Sequence, residues 1–171
     1  QMGEGSSWLT KAVSGQGALA IGPDTFIRTE RKDWYKKEMK QFTFECWYRT
    51  TQDKGIVLSS SDENLLLLFK NGRYCCLLNQ LKFTPDVDTP IETGRWNHLA
   101  IVLDSQHNSM HLYHNGTCIM KKTEINVGLK SIGRNYLLIF AQLSGSVTEV
   151  RCGKLLKPRI KSRLTSELPC Q

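Results

Sequence analysis

The sequence predicts an all-β domain, a two-sheet antiparallel β-sandwich, and three observations support this. Short apolar segments recur roughly every 10 to 15 residues between turn signals, and helical periodicity is almost absent. Residues 42–48 alternate apolar and polar positions, as a strand with one buried face does. Two Asn-Gly pairs, at 71–72 and 115–116, are typical of tight β-hairpins because both turn residues need positive φ.

The chain has 171 residues, which is enough for one domain with a well-developed core. Residues 1–17 are rich in Gly and Ser and are predicted as a flexible lead-in, and residues 18–171 as a single domain. Residues 31–40 form a charged connector, and only residues 157–168 could hold a short helix. The predicted strands span 18–21, 25–28, 42–48, 56–59, 64–69, 74–78, 96–103, 109–113, 117–120, 136–140 and 145–151.

The predicted core follows from alternation and from the size of the aromatic side chains. Trp47 and Trp96 are expected on the inner faces, where their large rings would join two sheets packed about 10 Å apart. The residues expected to be largely buried are Phe42, Phe44, Trp47, Trp96, Leu99, Leu112 and Val147.

Positive charge is concentrated at the C-terminus. Residues 151–171 hold six basic residues and one acid, a net charge of +5 out of +7 for the chain. Such a segment favours an anionic partner such as a sulfated glycan, nucleic acid, acidic lipid or an acidic protein face, although a solvated basic surface is the alternative. Among these partners a sulfated glycan is considered, and nucleic acid is not expected. The expected basic edge consists of Lys154, Lys157, Arg159, Lys161 and Arg163.

A second basic segment lies in the connector and includes two aromatic residues. It is diluted by three acids, so a solvated loop is the competing interpretation. The residues of this basic and aromatic loop are Arg31, Lys32, Trp34, Tyr35, Lys36 and Lys37.

Six cysteines permit up to three disulfides. Cys75 and Cys76 are neighbours, and in a strand they point to opposite faces, which argues against pairing between them. Cys152 and Cys170 bracket the basic segment, and a disulfide between them is expected, as in extracellular domains. The alternative is six reduced thiols in a cytosolic protein.

No set of residues in the sequence has the spacing of a catalytic or metal-binding site. Retaining glycosidases need two carboxyl groups about 5.5 Å apart, and no strand carries acids at the required spacing. Asp86 and Asp88 lie in a Pro-flanked loop and not on a strand. His111 and His114 are separated by an odd number of positions, so on a strand their side chains point to opposite faces and cannot share a zinc ion. We therefore expect no enzyme activity, no cofactor and no nameable metal site. Asn115 heads a glycosylation sequon, although Asn-Gly is also what the turn requires.

Five motifs, read in order, resemble the laminin-G-like, concanavalin A-like jelly roll that also includes the pentraxins. They are Ala-Leu-Ala-Ile-Gly-Pro-Asp-Thr-Phe-Ile (18–27), Phe-Thr-Phe-Glu-Cys-Trp (42–47), Gly-Arg-Trp-Asn-His-Leu-Ala (94–100), Met-His-Leu-Tyr-His-Asn-Gly (110–116) and Leu-Ser-Gly-Ser-Val-Thr-Glu-Val-Arg (143–151). The resemblance covers about residues 18–164. It implies a jelly-roll fold, and it makes calcium a possible ligand for which this sequence offers no definable ligand set.

The resemblance also implies a function. We expect a non-catalytic extracellular or cell-surface recognition module that binds a protein receptor or matrix ligand through its rim loops. The alternatives are a heparin-type glycan binder and an intracellular scaffolding jelly roll with reduced cysteines. No apolar run reaches the roughly 18 residues of a membrane span. Because Gln1 opens the chain without Met or a signal peptide, we expect a processed or excised piece of a longer protein.

Overall fold

The computed structural model of the protein describes residues 7–9, 18–22, 26–28, 40–61, 64–127, 137–141 and 145–153. These residues form thirteen strands, and no helix occurs among them. The strands are β1 (Ser7–Leu9), β2 (Ala18–Ile21), β3 (Ile27–Arg28), β4 (Gln41–Thr50), β5 (Gly55–Ser60), β6 (Leu65–Lys70), β7 (Arg73–Leu78), β8 (Leu81–Phe83), β9 (Trp96–Asp104), β10 (Ser109–His114), β11 (Thr117–Lys122), β12 (Leu137–Ala141) and β13 (Gly145–Gly153).

The strands build two antiparallel sheets, which confirms the predicted sandwich. The seven-stranded sheet has the order β1-β2-β13-β4-β9-β10-β11, and the six-stranded sheet has the order β3-β12-β5-β6-β7-β8. Two strands were not predicted from the sequence. β1 lies inside the expected lead-in and pairs with β2, and β8 extends the six-stranded sheet beyond β7.

The core fills the space between the two sheets. Alternate residues of each central strand point inward, and the predicted core residues Phe42, Phe44, Leu99 and Leu112 are fully or almost fully buried. The side chain of Val147 lies outside the described part of the structure. The other large buried side chains are Tyr48, Leu58, Leu65, Leu67, Phe69, Tyr74, Leu78 and Ile101.

Two tyrosines, rather than two tryptophans, join the sheets at one end of the core. Tyr48 on β4 and Tyr74 on β7 place their hydroxyl oxygens 2.6 Å apart, and Phe69 packs against both rings. Burial raises the pKa of both tyrosines above the usual value, so both remain neutral phenols. Because each hydroxyl is buried, this mutual hydrogen bond removes the cost of leaving two polar groups unpaired.

The loop after β8 protects an edge of the sandwich. The backbone amide of Asp86 donates to the carbonyl of Ile119 (2.7 Å) on edge strand β11, and the Asp86 carboxylate accepts from the Lys121 amide (3.0 Å). The carboxylate also pairs with Lys122, and this pairing lowers the pKa of Asp86. The loop therefore satisfies edge groups that would otherwise be open to another strand.

Three hairpin turns use left-handed residues. The two predicted Asn-Gly turns are confirmed, with φ of 53° and 69° at Asn71–Gly72 and 50° and 83° at Asn115–Gly116. The β7–β8 turn has the same geometry at Asn79 and Gln80, with φ of 50° and 67°. Gln is uncommon in this conformation, so the residues of the β7–β8 turn do not predict it.

Candidate functional site

Trp47 and Trp96 lie on the outer face of the seven-stranded sheet, so the prediction that they fill the core is wrong. Both are only partly buried, and they have the opposite parity to the inward residues of β4 and β9. In β4 the inward positions are even-numbered, from Phe42 to Thr50, and in β9 Leu99 points inward. An inward Trp47 would break this alternation, because successive side chains of a strand point to opposite faces.

The outer side chains form aromatic and charged pairs. The Trp47 and His98 rings are opposite each other in the register, with centroids 5.0 Å apart and ring planes at 47°. The guanidinium of Arg49 lies 5.3 Å from the centre of the Trp96 ring, within the range of a cation–π interaction. We call this surface the aromatic face, defined by Glu45, Trp47, Arg49, Trp96, His98, Ala100 and Tyr113.

Ala100 occupies the middle of the aromatic face. It pairs across β9 with Glu45 on one side and Tyr113 on the other, and His98 is the next outward residue along the strand. Its neighbours shield it, since only 9% of Ala100 is exposed. His98 and Tyr113 lie next to it, Trp47 lies one row away, and Glu45 lies at one end of the row.

The adjacent row contains two unsatisfied polar atoms. Thr43 Oγ1 and His111 Nε2 are both shielded from solvent and have no hydrogen-bond partner. The two residues lie on either side of Val102 in the register. Burial lowers the pKa of His111, and the nearby Lys121 lowers it further, so the imidazole is neutral at pH 7. An added hydrogen-bonding group would stabilise this row.

A buried amide fixes the rim beside the aromatic face. The side-chain nitrogen of Asn97 donates to the carbonyls of Glu92 (2.9 Å) and Arg95 (3.0 Å). Its Oδ1 accepts from the Glu92 amide (3.0 Å) and lies 2.9 Å from His114 Nε2. Since Oδ1 is an acceptor, Nε2 carries the proton, and this leaves His114 Nδ1 buried without a partner. The network holds the loop that leads into Trp96.

Asn115 lies at the same rim, in the turn between β10 and β11. Its Oδ1 accepts from the His98 amide (2.8 Å), and its own amide donates to the His98 carbonyl (2.9 Å). The residue is exposed. Its role in the turn is therefore confirmed, and glycosylation of Asn115 stays a prediction.

Most of the other predicted site residues lie outside the described part of the structure. This holds for the entire basic edge, for the entire basic and aromatic loop, and for Cys170. Cys152 is described only as a position on β13, where it pairs with Phe44. The Cys152–Cys170 disulfide thus stays a prediction. The aromatic face was missed, although the parity of residues in β4 and β9 was a signal that could have identified it.

Four cysteines in the described residues carry no disulfide: Cys46, Cys75, Cys76 and Cys118. Cys75 and Cys76 point to opposite faces, as predicted, with Cys76 buried and Cys75 partly exposed. Burial raises the pKa of Cys46 well above its usual value and that of Cys76 to about 12.

The loop carboxylates serve as ion-pair partners. Asp88 forms a two-pronged contact with Arg73 at 2.7 and 2.8 Å, and this contact lowers the pKa of Asp88. Asp86 pairs with Lys122. Within the described ranges, no group of three or more His, Cys, Asp or Glu side chains could hold a metal ion. The described part of the chain also contains no helix long and apolar enough to cross a membrane.

Comparison with known families decides the identity of the fold. Residues 22–152 match a laminin-G family of the concanavalin A-like lectin/glucanases superfamily. The chain belongs to this family. A search of curated protein sequences finds no match to the laminin G-like domain.

Solved structures similar to the laminin G-like domain include three with low sequence identity. The Limulus polyphemus SAP-like pentraxin has a TM-score of 0.55 and 17% identity, and 67% of this chain covers 64% of the pentraxin chain. Domain 4 of the extracellular arabinanase AbnA from Geobacillus stearothermophilus, in complex with arabinotriose, has a TM-score of 0.68 and 15% identity. The match covers 88% of this chain and 75% of the arabinanase domain chain. The CBM40 of the Ruminococcus gnavus IT-sialidase, bound to α2,3-sialyllactose, has a TM-score of 0.58 and 19% identity. The match covers 80% of this chain and 89% of the CBM40 chain.

Proposed function

We propose that this laminin G-like domain is a non-catalytic recognition module that binds a saccharide on the aromatic face. The observation that carries the proposal is the outer-face row of Glu45, Ala100 and Tyr113, which lies beside the Trp47–His98 ring pair. Sugars present an apolar C–H face and polar hydroxyl edges. An aromatic wall next to a carboxylate provides a matching surface for both.

The charged residues favour a ligand with an anionic group. Arg49 is exposed beside the Trp47–His98 pair, and its planar guanidinium suits two-pronged recognition of a carboxylate or sulfate. Glu45, at the other end of the row, can accept hydrogen bonds from sugar hydroxyls. These groups together fit an acidic saccharide. Bound arabinotriose and sialyllactose in two structural relatives support a saccharide as the ligand class.

Among the side chains that the structure describes, the placement of the outer-face acids Glu45 and Asp104 supports a binding role instead of hydrolysis. Glu45 lies opposite Ala100, and Asp104 follows Ala100 by four residues along β9, about 13 Å at the usual rise of a strand. Glycosidase carboxyl pairs lie between about 5 and 9.5 Å apart. Burial alone would raise the pKa of Asp104, but hydrogen bonds from His107 and Gln41 lower it to about 2, so Asp104 is a poor general acid.

A natural carrier of such a saccharide is an extracellular receptor or matrix glycoprotein. The rim next to the aromatic face gathers the Asn71–Gly72 and Asn115–Gly116 hairpins and the loop fixed by Asn97. Loops at this end can contact the protein part of a ligand while the face holds its glycan. We propose an extracellular or cell-surface location for this reason. A reduced Cys152–Cys170 pair in the native protein would favour an intracellular scaffold instead.

The test is a titration of the full chain with sialyllactose and with arabinotriose, followed by NMR shifts of the Trp47 and His98 side chains. Trp47→Ala and Arg49→Ala are expected to weaken binding about tenfold or more, equivalent to about 1.4 kcal/mol. Phe26→Ala is the matched control, because Phe26 is exposed but lies next to the six-stranded sheet. If neither sugar shifts the aromatic face, or if Phe26→Ala weakens binding equally, the proposed site is wrong.

A sulfated glycan on the basic edge is a second candidate, favoured by the +5 net charge of residues 151–171. Exposed charge contacts contribute about 0–1 kcal/mol each, so retention should be modest and should weaken as salt rises above about 0.15 M. We expect earlier elution from heparin when Lys157, Arg159, Lys161 and Arg163 are replaced by Ser. Unchanged elution would exclude this segment as a heparin site.

A further inference from the structure

The outer face of the six-stranded sheet is aliphatic. An antiparallel sheet with one solvated face normally alternates apolar and polar residues. β6 instead carries Leu at both parities: Leu65 and Leu67 are fully buried, and Leu66 and Leu68 point outward and are partly exposed. We call this surface the aliphatic face, defined by Ile56, Leu66, Leu68, Cys75 and Leu77.

The register makes the aliphatic face continuous over three strands. Leu66 is opposite Leu77, and Leu68 is opposite Cys75 on one side and Ile56 on the other. All five side chains are partly exposed. Neighbouring strands are about 4.8 Å apart, so the patch and its border strand β8 span about 15 Å, wider than the roughly 10–12 Å diameter of a helix.

Cations border the aliphatic face on two sides. Lys70 and Arg73 are register partners at one end, and Lys82 on β8 is opposite Leu77. Burial raises the pKa of the Cys75 thiol, and the nearby Lys82 offsets part of this rise. β5 to β8 contain no acidic residue. Arg73 is neutralised by Asp88, whereas within the described ranges Lys70 and Lys82 have no ion-pair partner.

We propose that the aliphatic face docks an acidic amphipathic helix of a partner protein. Its apolar stripe would cover Leu66, Leu68 and Leu77, and its flanking carboxylates would meet Lys70 and Lys82. The two lysines lie four positions apart along the strands and two strands apart, about 16 Å in all. At 1.5 Å per residue, carboxylates about three helical turns apart would reach both.

Charge disfavours two other occupants. A twofold dimer through this face would bring Lys70 and Lys82 of both copies together, because the same surface is used twice in such an interface. The chain's own C-terminal segment is also basic, so it does not complement the border. An acidic partner gains attraction where either of these would meet like-charge repulsion.

The test uses two synthetic helical peptides of about 20 residues with the same leucine stripe, one flanked by Glu and one by Lys. We expect the Glu peptide to bind the full chain and to shift the methyl signals of Leu66, Leu68 and Leu77. Lys70→Glu with Lys82→Glu should weaken the Glu peptide tenfold or more and allow the Lys peptide to bind. Both lysines are exposed, so the variant should fold normally. Lys121→Glu, on the other sheet, is the control and should leave the binding of both peptides unchanged.

Three results would overturn this proposal: no binding of the Glu peptide, equal binding of both peptides, or equal effects of the double variant and Lys121→Glu. Dimerisation through the same leucines in sedimentation experiments would assign the face to a second copy. Binding to phosphatidylserine vesicles that depends on Lys70 and Lys82, without binding of the Glu peptide, would assign it to a membrane. Saccharide binding on the aromatic face should be unaffected by Lys70→Glu with Lys82→Glu, because both lysines lie on the other sheet.

Discussion

At the scale of single residues, His114 stands out because it is a buried imidazole in a fixed tautomer. Its Nε2–H donates to Asn97, its Nδ1 has no partner, and its ring meets Tyr74 edge-on with centroids 5.1 Å apart. Protonation would place a positive charge where no acceptor is available. Burial accordingly lowers the pKa of His114 in the folded protein.

The folded protein should therefore lose stability in mild acid. The unfolded histidine titrates near pH 6.5 and the folded one below this, so the unfolded state binds more protons as pH falls below about 6.5. We expect the free energy of unfolding, from urea titrations between pH 8 and 5, to decrease in this window. His114→Gln should flatten the decrease. A flat wild-type profile would contradict the assignment.

Asn97 is the second residue whose removal has a defined consequence. Asn97→Ala would leave the Glu92 amide, two carbonyls and the His114 N–H without their present partners. We expect a loss of about 2–4 kcal/mol in chemical denaturation, because each unpaired buried group costs about 1–3 kcal/mol and part of the loop can rehydrate. Gln106→Ala, at an exposed turn position, should change stability by less than about 0.5 kcal/mol.

At the scale of strands, alternation predicts most of the fold and also the outward position of Trp47. Phe42 and Phe44 share a parity that excludes Trp47 from the inner face, and the size and hydrophobicity of an indole ring do not override this parity. β8 escaped prediction because it is three residues long and its turn lacks glycine. Parity in β4 and β9 could have placed Trp47 and Trp96 on the outer face, but only the register reveals that Ala100 lies between Glu45 and Tyr113.

The three hairpins allow a matched test of turn chemistry. Gln80 adopts φ of 67°, which costs a residue with a side chain roughly 1–2 kcal/mol. A glycine at this position would avoid that cost, but it would also have more conformational freedom to lose on folding. Gln80→Gly should therefore raise the free energy of unfolding by about 0.5–1 kcal/mol. Gly116→Ala, where a new Cβ would meet nothing within 4 Å but φ is 83°, should lower it by about 1 kcal/mol. Equal effects of the two changes on the melting temperature would refute this explanation.

At the scale of the whole molecule, the distribution of thiols predicts a reactivity pattern. Cys46 and Cys76 are fully buried with raised pKa values, so they should react with a thiol reagent only when the protein unfolds. Cys75 and Cys118 are partly exposed and should react in the native state. In denaturant without reductant we expect four reactive thiols, because Cys152 and Cys170 are predicted to be bonded. Six would show that the pair is reduced.

The order of strands in the seven-stranded sheet also governs how the molecule responds to mechanical force. β13 is hydrogen-bonded on both sides, to β2 and to β4, whereas β1 pairs with β2 alone. Tension applied along β13 from Gly153 loads both ladders at once, in shear, and many bonds must break together. Tension applied at Ser7 opens the β1–β2 pair one bond after another. The domain should therefore resist pulling at Gly153 far more strongly than pulling at Ser7.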